Sequence, residues 1–91
     1  MKRAVFPGSF DPITHGHLNI LERSATLFDE IIVAVGVNSS KRSMFPLKQR
    51  MAWLESVCAR FPHVQIASFE GLTADFCRES DAHWLLRGVR N

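Results

Sequence analysis

An α/β fold built on a doubly wound parallel sheet, in the order βαβαβαβ, is what this sequence predicts. Three observations lead there. Glu30–Val37 is nearly all apolar and largely β-branched, the composition of a strand covered on both faces. Segments of helical periodicity alternate with short apolar runs along the whole chain. The connections are short, which fits right-handed crossovers between neighbouring strands and a Rossmann-like layout.

Taken in order, residues 2–6 form the first expected strand, ended by Pro7-Gly8. Leu18, Leu21, Ala25 and Phe28 recur at helical spacing, so an amphipathic helix is expected over about 16–28. Glu30–Val37 is the second strand, and 38–46 is a polar loop carrying Lys41 and Arg42. Pro46 suits the first turn of a second helix, where its missing N–H costs nothing. Leu47, Met51, Leu54, Cys58 and Phe61 line the inner face of that helix, leaving Lys48 and Arg50 to a wet face. Pro62-His63 breaks the pattern, and 64–69 resumes as a strand. A third helix is expected over 71–80 with Leu72 and Phe76 facing inward, and a fourth strand over 82–86. Arg87-Gly88-Val89-Arg90-Asn91 follows at once, with no helix to cover that strand. Residues 1–91 therefore read as a single Rossmann-like domain, incomplete at its C-terminal side, the front half of a longer fold.

Composition narrows the function classes. A chain of 91 residues makes one domain at most, burying roughly 60–65% of its unfolded surface. A hydrophobic share of 46% argues against general disorder. Eleven basic residues against nine acidic give a net charge of +2, too balanced for nucleic-acid binding by bulk electrostatics. The longest apolar run, residues 31–37, cannot span a bilayer, and the run after Met1-Lys2-Arg3 stops at Pro7, too short for a signal peptide. No nucleic acid, no membrane and a cytoplasmic location are the expectations. Cys58 and Cys77 are far apart with no CxxC spacing, so they read as small buried thiols in a reducing compartment.

The stretch from Ala4 to His17 carries the most chemical information. It runs from a strand through a turn-rich loop to a helix start, where unpaired N–H groups and the positive dipole end favour phosphate. In an open parallel sheet, ligands bind beyond the carboxyl ends of the strands. The loops leaving those ends gather Ser9, His15, His17, Lys41, Arg42, Arg87 and Arg90, with Asp11 nearby. A rim so rich in cations and donors suits a highly phosphorylated ligand.

Thr14-His15-Gly16-His17 fits the T/H-x-G-H signature of the nucleotidyltransferase superfamily. Gly8-Ser9-Phe10-Asp11-Pro12 before it and Arg87-Gly88-Val89-Arg90 after the fourth strand resemble the bacterial-type phosphopantetheine adenylyltransferases, and Ser39-Ser40-Lys41-Arg42 falls where that family carries a loop lysine. The resemblance implies transfer of an adenylyl group from ATP to 4′-phosphopantetheine, giving dephospho-coenzyme A and pyrophosphate in coenzyme A biosynthesis. It implies His17 at the α-phosphate and Gly16 admitting the nucleotide close to the backbone. Ser9 and Phe10 would stand at the junction of the two substrates, and Lys41 and Arg87 on the acceptor phosphate, with Lys41 also following charge in the transition state. Thr73 would meet the pantetheine arm through its backbone, and Gly88, Val89 and Arg90 would line the ATP site. Mg2+ would arrive with ATP rather than on dedicated protein ligands. A homo-oligomer, a hexamer in the family, and binding of coenzyme A are further implications.

The family continues beyond this point with acidic residues and an Ile-Ser-Ser-Thr/Ser motif that complete the triphosphate site. Two rival readings therefore stay open: another T/HxGH enzyme, acting on nicotinamide mononucleotide or as a cytidylyltransferase, and a non-catalytic module that binds phosphopantetheine. Among the remaining residues, His15 reads as a supporting residue, since it and His17 do not share a helix face. Asp11 is expected to organise its Pro-flanked turn, and Arg42 has no role. His63 and His83 are expected at the surface, and Trp53 and Trp84 in packing.

Overall fold

The computed structural model describes residues 1–37 and 44–87. The strands are β1 (Arg3–Gly8), β2 (Glu30–Val37), β3 (Val64–Glu70) and β4 (Trp84–Leu85), and the helices are α1 (His15–Ser24), α2 (Leu47–Cys58) and α3 (Thr73–Glu79). All pairings are parallel and the sheet order is β3-β2-β1-β4. The doubly wound α/β sheet expected from the sequence is thus the one observed.

Burial explains the strand composition. Ala4–Phe6 and Ile31–Val35 are enclosed on both faces, so neither strand can afford the polar alternation of a half-exposed sheet. Phe6, Ile31, Val33 and Val35 pack with Leu21 of α1 and with Leu54 and Cys58 of α2. Val5, Ile32 and Ala34 face the other way, toward Phe76 and Cys77 of α3. Two helices therefore cover one face and one covers the opposite face. The chain steps outward from β1 to β2 to β3, then crosses back to place β4 on the far side of β1. Strand order reverses between β1 and β4, the place where such sheets open a crevice.

At the amino ends of the strands, away from that crevice, the Arg3 guanidinium pairs with Glu30 and donates to the Ser80 carbonyl at 2.7 Å. Glu30 also accepts from Gln65 at 2.9 Å. One polar cluster thereby ties three strands and the end of α3 together. Among the described residues, no helix is long and apolar enough to cross a membrane.

Several expected boundaries move, each for a physical reason. β1 does not stop at Pro7 but runs on to Gly8, paired with Ala34 and Val35 of β2. Proline is tolerated because its missing N–H faces the β4 side. The Leu86 N–H donates to the Val5 carbonyl at 2.8 Å, and the next bond of that ladder would need a donor at residue 7. Pairing between β1 and β4 accordingly covers only Ala4–Trp84 and Val5–Leu85. α1 ends at Ser24, whose carbonyl takes the N–H of both Leu27 (3.0 Å) and Phe28 (3.3 Å), closing the helix into a turn. Pro46 is the extended N-cap of α2 rather than a residue of its first turn. Leu72, expected inward, is 69% exposed because it precedes α3, just after Gly71 turns the chain at φ 86°. Trp53 packs edge-on against Phe45, whereas Trp84 rests on Phe28 and stays 42% exposed. His83 is exposed as expected, but His63 is half-buried with Nε2 enclosed and unpartnered. Cys58 is buried and Cys77 partly so, both as free thiols.

Candidate functional site

β1 delivers the chain at the switch point into the loop that ends at α1. Phe10 takes φ 44°, a left-handed conformation that a bulky residue rarely adopts. Its side chain is only 2% exposed, with the ring edge-on to Phe6 (5.4 Å between centroids) and to His17 (4.8 Å). Gly8 makes room for it, since a Cβ there would lie 3.1 Å from the Phe10 ring. The Asp11–Pro12 peptide that follows is cis.

Thr14 caps α1. Its hydroxyl accepts the His17 N–H at 3.4 Å, while the Thr14 N–H donates to His17 Nδ1 at 2.9 Å. This is a capping box in which histidine stands where Glu or Gln is usual. The consequence is chemical. Because Nδ1 accepts from a backbone N–H, the neutral ring must carry its proton on Nε2. Nε2 has no partner among the described residues. Burial pushes the His17 pKa below its ordinary 6.5, which favours the neutral ring. The structure thus holds an uncharged imidazole against Phe10 and Phe6, with Nε2–H as its one donor, beside the head of a helix.

Gly16 is the second residue of α1. A Cβ there would meet only the Thr14 hydroxyl, at an ordinary 3.6 Å. Among the described residues nothing requires glycine at this position, and none crowds the space beside its backbone. Ser9, His15 and Gly16 are exposed and His17 is half-buried, with the Phe10 ring packed against it.

The second rim segment is tied to the first. The Asp11 carboxylate accepts two consecutive backbone N–H groups, Met44 at 2.5 Å and Phe45 at 2.8 Å. Asp11 therefore organises the neighbouring loop rather than its own turn. Arg50 corrects a second expectation. It is not on a wet face but 6% exposed, with Nε donating to the Phe45 carbonyl at 3.0 Å and a terminal nitrogen to the Ser9 carbonyl at 2.8 Å. The sequence did contain a signal for it. Residue 50 lies three after Leu47 and four before Leu54, within the apolar stripe of α2, and an arginine there must satisfy its charge by hydrogen bonds.

Thr73, the first residue of α3, and Arg87, two residues past β4, line one cleft of about 400 Å³ together with Ala74, Cys77, Ala82 and Trp84. The structure so brings together Ser9, Phe10, Gly16 and His17 at the end of β1, and Thr73 with Arg87 across the switch point. Lys41, Arg42, Gly88, Val89 and Arg90 lie outside the described residues. Among the described residues, no three His, Cys, Asp or Glu side chains converge as metal ligands.

Residues 5–91 match the model of the cytidylyltransferase-like family. The whole chain is 50% identical to a phosphopantetheine adenylyltransferase of Christiangramia forsetii and spans 60% of that protein. Another phosphopantetheine adenylyltransferase, from Synechococcus, is 51% identical over 88 residues, 97% of this chain and 53% of its own length. Among solved structures, a lipopolysaccharide core biosynthesis protein from Thermoplasma volcanium superposes with a TM-score of 0.70 at 25% identity, over 93% of this chain and 72% of that one. The chain thus spans little more than half of the curated relatives it matches.

Proposed function

The chain belongs to the cytidylyltransferase-like family, and from that premise we propose that it carries the α-phosphate and acceptor portions of a site that moves an adenylyl group from ATP to 4′-phosphopantetheine. One observation carries the chemistry: a neutral His17 whose Nδ1 is engaged by Thr14, leaving Nε2–H as a fixed donor at the head of α1. The choice of acceptor is supported by about 50% identity, over the full chain, to proteins named as phosphopantetheine adenylyltransferases.

In this reading the acceptor phosphate is the nucleophile. One of its oxygens bonds to the α-phosphorus of ATP, the bond from that phosphorus to the bridging oxygen breaks, and pyrophosphate leaves with the electron pair. The attacking oxygen is already anionic, so no protein base is needed, and catalysis reduces to positioning and charge stabilisation. His17 Nε2–H donates to a non-bridging α-phosphate oxygen as charge builds there. The open backbone at Gly16 lets the phosphate approach the amide groups heading α1, whose dipole favours it. Ser9 stands at the junction with the acceptor. Phe10 contributes there through its backbone, its ring being committed to supporting His17. Lys41 and Arg87 hold the acceptor phosphate, Thr73 meets the pantetheine arm, and Gly88, Val89 and Arg90 line the nucleotide side.

For magnesium, the carboxylate in this loop, Asp11, already accepts two amide N–H groups. We therefore route no step through a protein-held ion, and take any magnesium to travel with the triphosphate. A cytoplasmic setting and a homo-oligomer, a hexamer as in the family, complete the proposal.

The test is a titration of the chain with 4′-phosphopantetheine and with ATP, followed by assay of their mixture for dephospho-coenzyme A and pyrophosphate. Saturable binding of 4′-phosphopantetheine is expected, and formation of that product would extend the reading to the complete reaction. A dinucleotide formed from nicotinamide mononucleotide instead, or no binding of 4′-phosphopantetheine, would overturn the reading. Because the chain spans about 60% of its relatives, acceptor binding without pyrophosphate release would favour the second reading, a phosphopantetheine-binding module.

A further inference from the structure

We propose that Asp11 and Arg50 are positioning residues: together they lock the loop after β1 to the segment that leads into α2 and hold the platform on which the His17 ring rests. The proposal builds on the function given above, but its geometry stands without it.

The lock works in both directions. From the first loop, Asp11 accepts the adjacent N–H groups of Met44 and Phe45. From α2, the Arg50 guanidinium joins the Phe45 carbonyl of the second loop to the Ser9 carbonyl of the first. A guanidinium is planar with its donors in a fixed fork, so bridging two carbonyls sets their separation in a way a flexible ammonium does not. Phe45 is gripped at its N–H by Asp11, at its carbonyl by Arg50, and at its ring by Trp53, 4.8 Å away.

The link to chemistry passes through one peptide. The Ser9 carbonyl that Arg50 holds belongs to the peptide leading into Phe10, the residue at φ 44°. A phenylalanine stays in that conformation only where its surroundings over-determine it. Arg50 fixes the peptide from one side, and the Phe6 ring and the space at Gly8 receive the side chain from the other. Phe10 in turn carries the His17 ring at 4.8 Å. A displacement of the Ser9–Phe10 peptide is thereby passed to the imidazole. The same guanidinium fixes Phe45, so the histidine and the segment leading into α2 share one reference point.

Two variants test this. Asp11→Asn is nearly isosteric but offers one acceptor where two N–H groups converge. Arg50→Lys keeps the buried charge and loses the fork. The first readout needs no catalysis: the His17 ring-proton NMR signals, shifted by the adjacent Phe10 ring, recorded on the 91-residue chain together with its melting curve. We expect both variants to melt cooperatively and to move the His17 signals away from their wild-type positions. The second readout is kinetic. Turnover should fall about tenfold, with 4′-phosphopantetheine affinity changing less than about threefold, and Arg50→Lys should be more impaired than Asp11→Asn. Folded variants whose His17 signals stay in place would overturn the proposal. His17 signals displaced in the variants, with no binding of 4′-phosphopantetheine to the wild-type chain, would support the lock and sink the proposed function instead. If Arg50→Lys does not fold, Asp11→Asn alone decides by the same signals.

Discussion

Replacing Gly16 by alanine separates what α1 needs for folding from what it needs for a ligand. A Cβ at that position would meet only the Thr14 hydroxyl, at 3.6 Å, so no clash opposes the change. Gly16 lies inside α1, where alanine exceeds glycine by about 0.5–1 kcal/mol in a helix interior and by less in the first turn. Taking about 0.5 kcal/mol, and about 4–8 °C per kcal/mol for a domain of this size, the melting temperature should rise by roughly 2–4 °C. Nucleotide binding should move the other way. A methyl group beside the amides at the head of the helix displaces the phosphate that approaches them. Losing one hydrogen bond to a charged group costs about 1.5–3 kcal/mol, which is roughly 10- to 150-fold in affinity. Circular-dichroism melts and calorimetric titration with ATP measure the two effects on the same sample. A melting temperature lowered by several degrees would mean the glycine serves the fold. An unchanged ATP affinity would mean no phosphate lies against this backbone. Either result refutes the reasoning.

His17→Ala should lower turnover by on the order of 10²–10³ while changing acceptor affinity little, because its donor acts on charge that develops in the transition state. Unchanged turnover in a stopped assay for pyrophosphate would remove His17 from the mechanism. Burial holds the His17 pKa below 6.5, so the folded chain resists protonation that the unfolded chain accepts. The contribution to stability is therefore present above pH 6.5 and lost as pH falls through the lowered folded value. Turnover should decline in the same window, because the charged ring turns a proton at Nδ1 against the Thr14 N–H. Urea unfolding at several pH values checks this: the wild-type chain should lose more stability on acidification than His17→Gln. Gly8→Ala should destabilise by about 1–3 kcal/mol, since its Cβ would press within 3.1 Å of the buried Phe10 ring, which Phe6 backs. A melting temperature equal to wild type would show that the ring can yield.

The parts legible in the sequence are those set by local pattern. The run at Glu30–Val37 declares a strand buried on both faces, and Leu47, Met51, Leu54 and Cys58 mark the inner face of α2, with Phe61 packing just beyond its end. The start of α1 is legible in Thr14-His15-Gly16-His17, where Thr14 and His17 form its cap. Less legible were features that depend on which loops meet. Asp11 finds its partners 33 and 34 residues away, a pairing no local rule supplies. The charge of Arg50 argues for solvent while its place in the stripe of α2 points inward, and position prevails. Leu72 fits a helical stripe but precedes the first residue of α3. The burial of Phe10 beneath His17 required knowing that the chain turns through φ 44° there, a conformation phenylalanine propensity argues against.

Pro7 has a consequence for the energetics of ligand entry. Lacking an N–H, it denies the ladder between β1 and β4 the donor that would follow the Leu86–Val5 bond. The two strands can therefore part at the carboxyl end of the sheet before any ligand arrives. Closing that mouth would require a hydrogen bond the covalent structure cannot make. A ligand of the proposed kind that lodged beyond β1 and β4 would break no backbone pairing at residue 7, so less of its binding energy would be diverted into reshaping the receptor. The described pairing of β1 with β4 ends where the nitrogen of residue 7 has no hydrogen to donate.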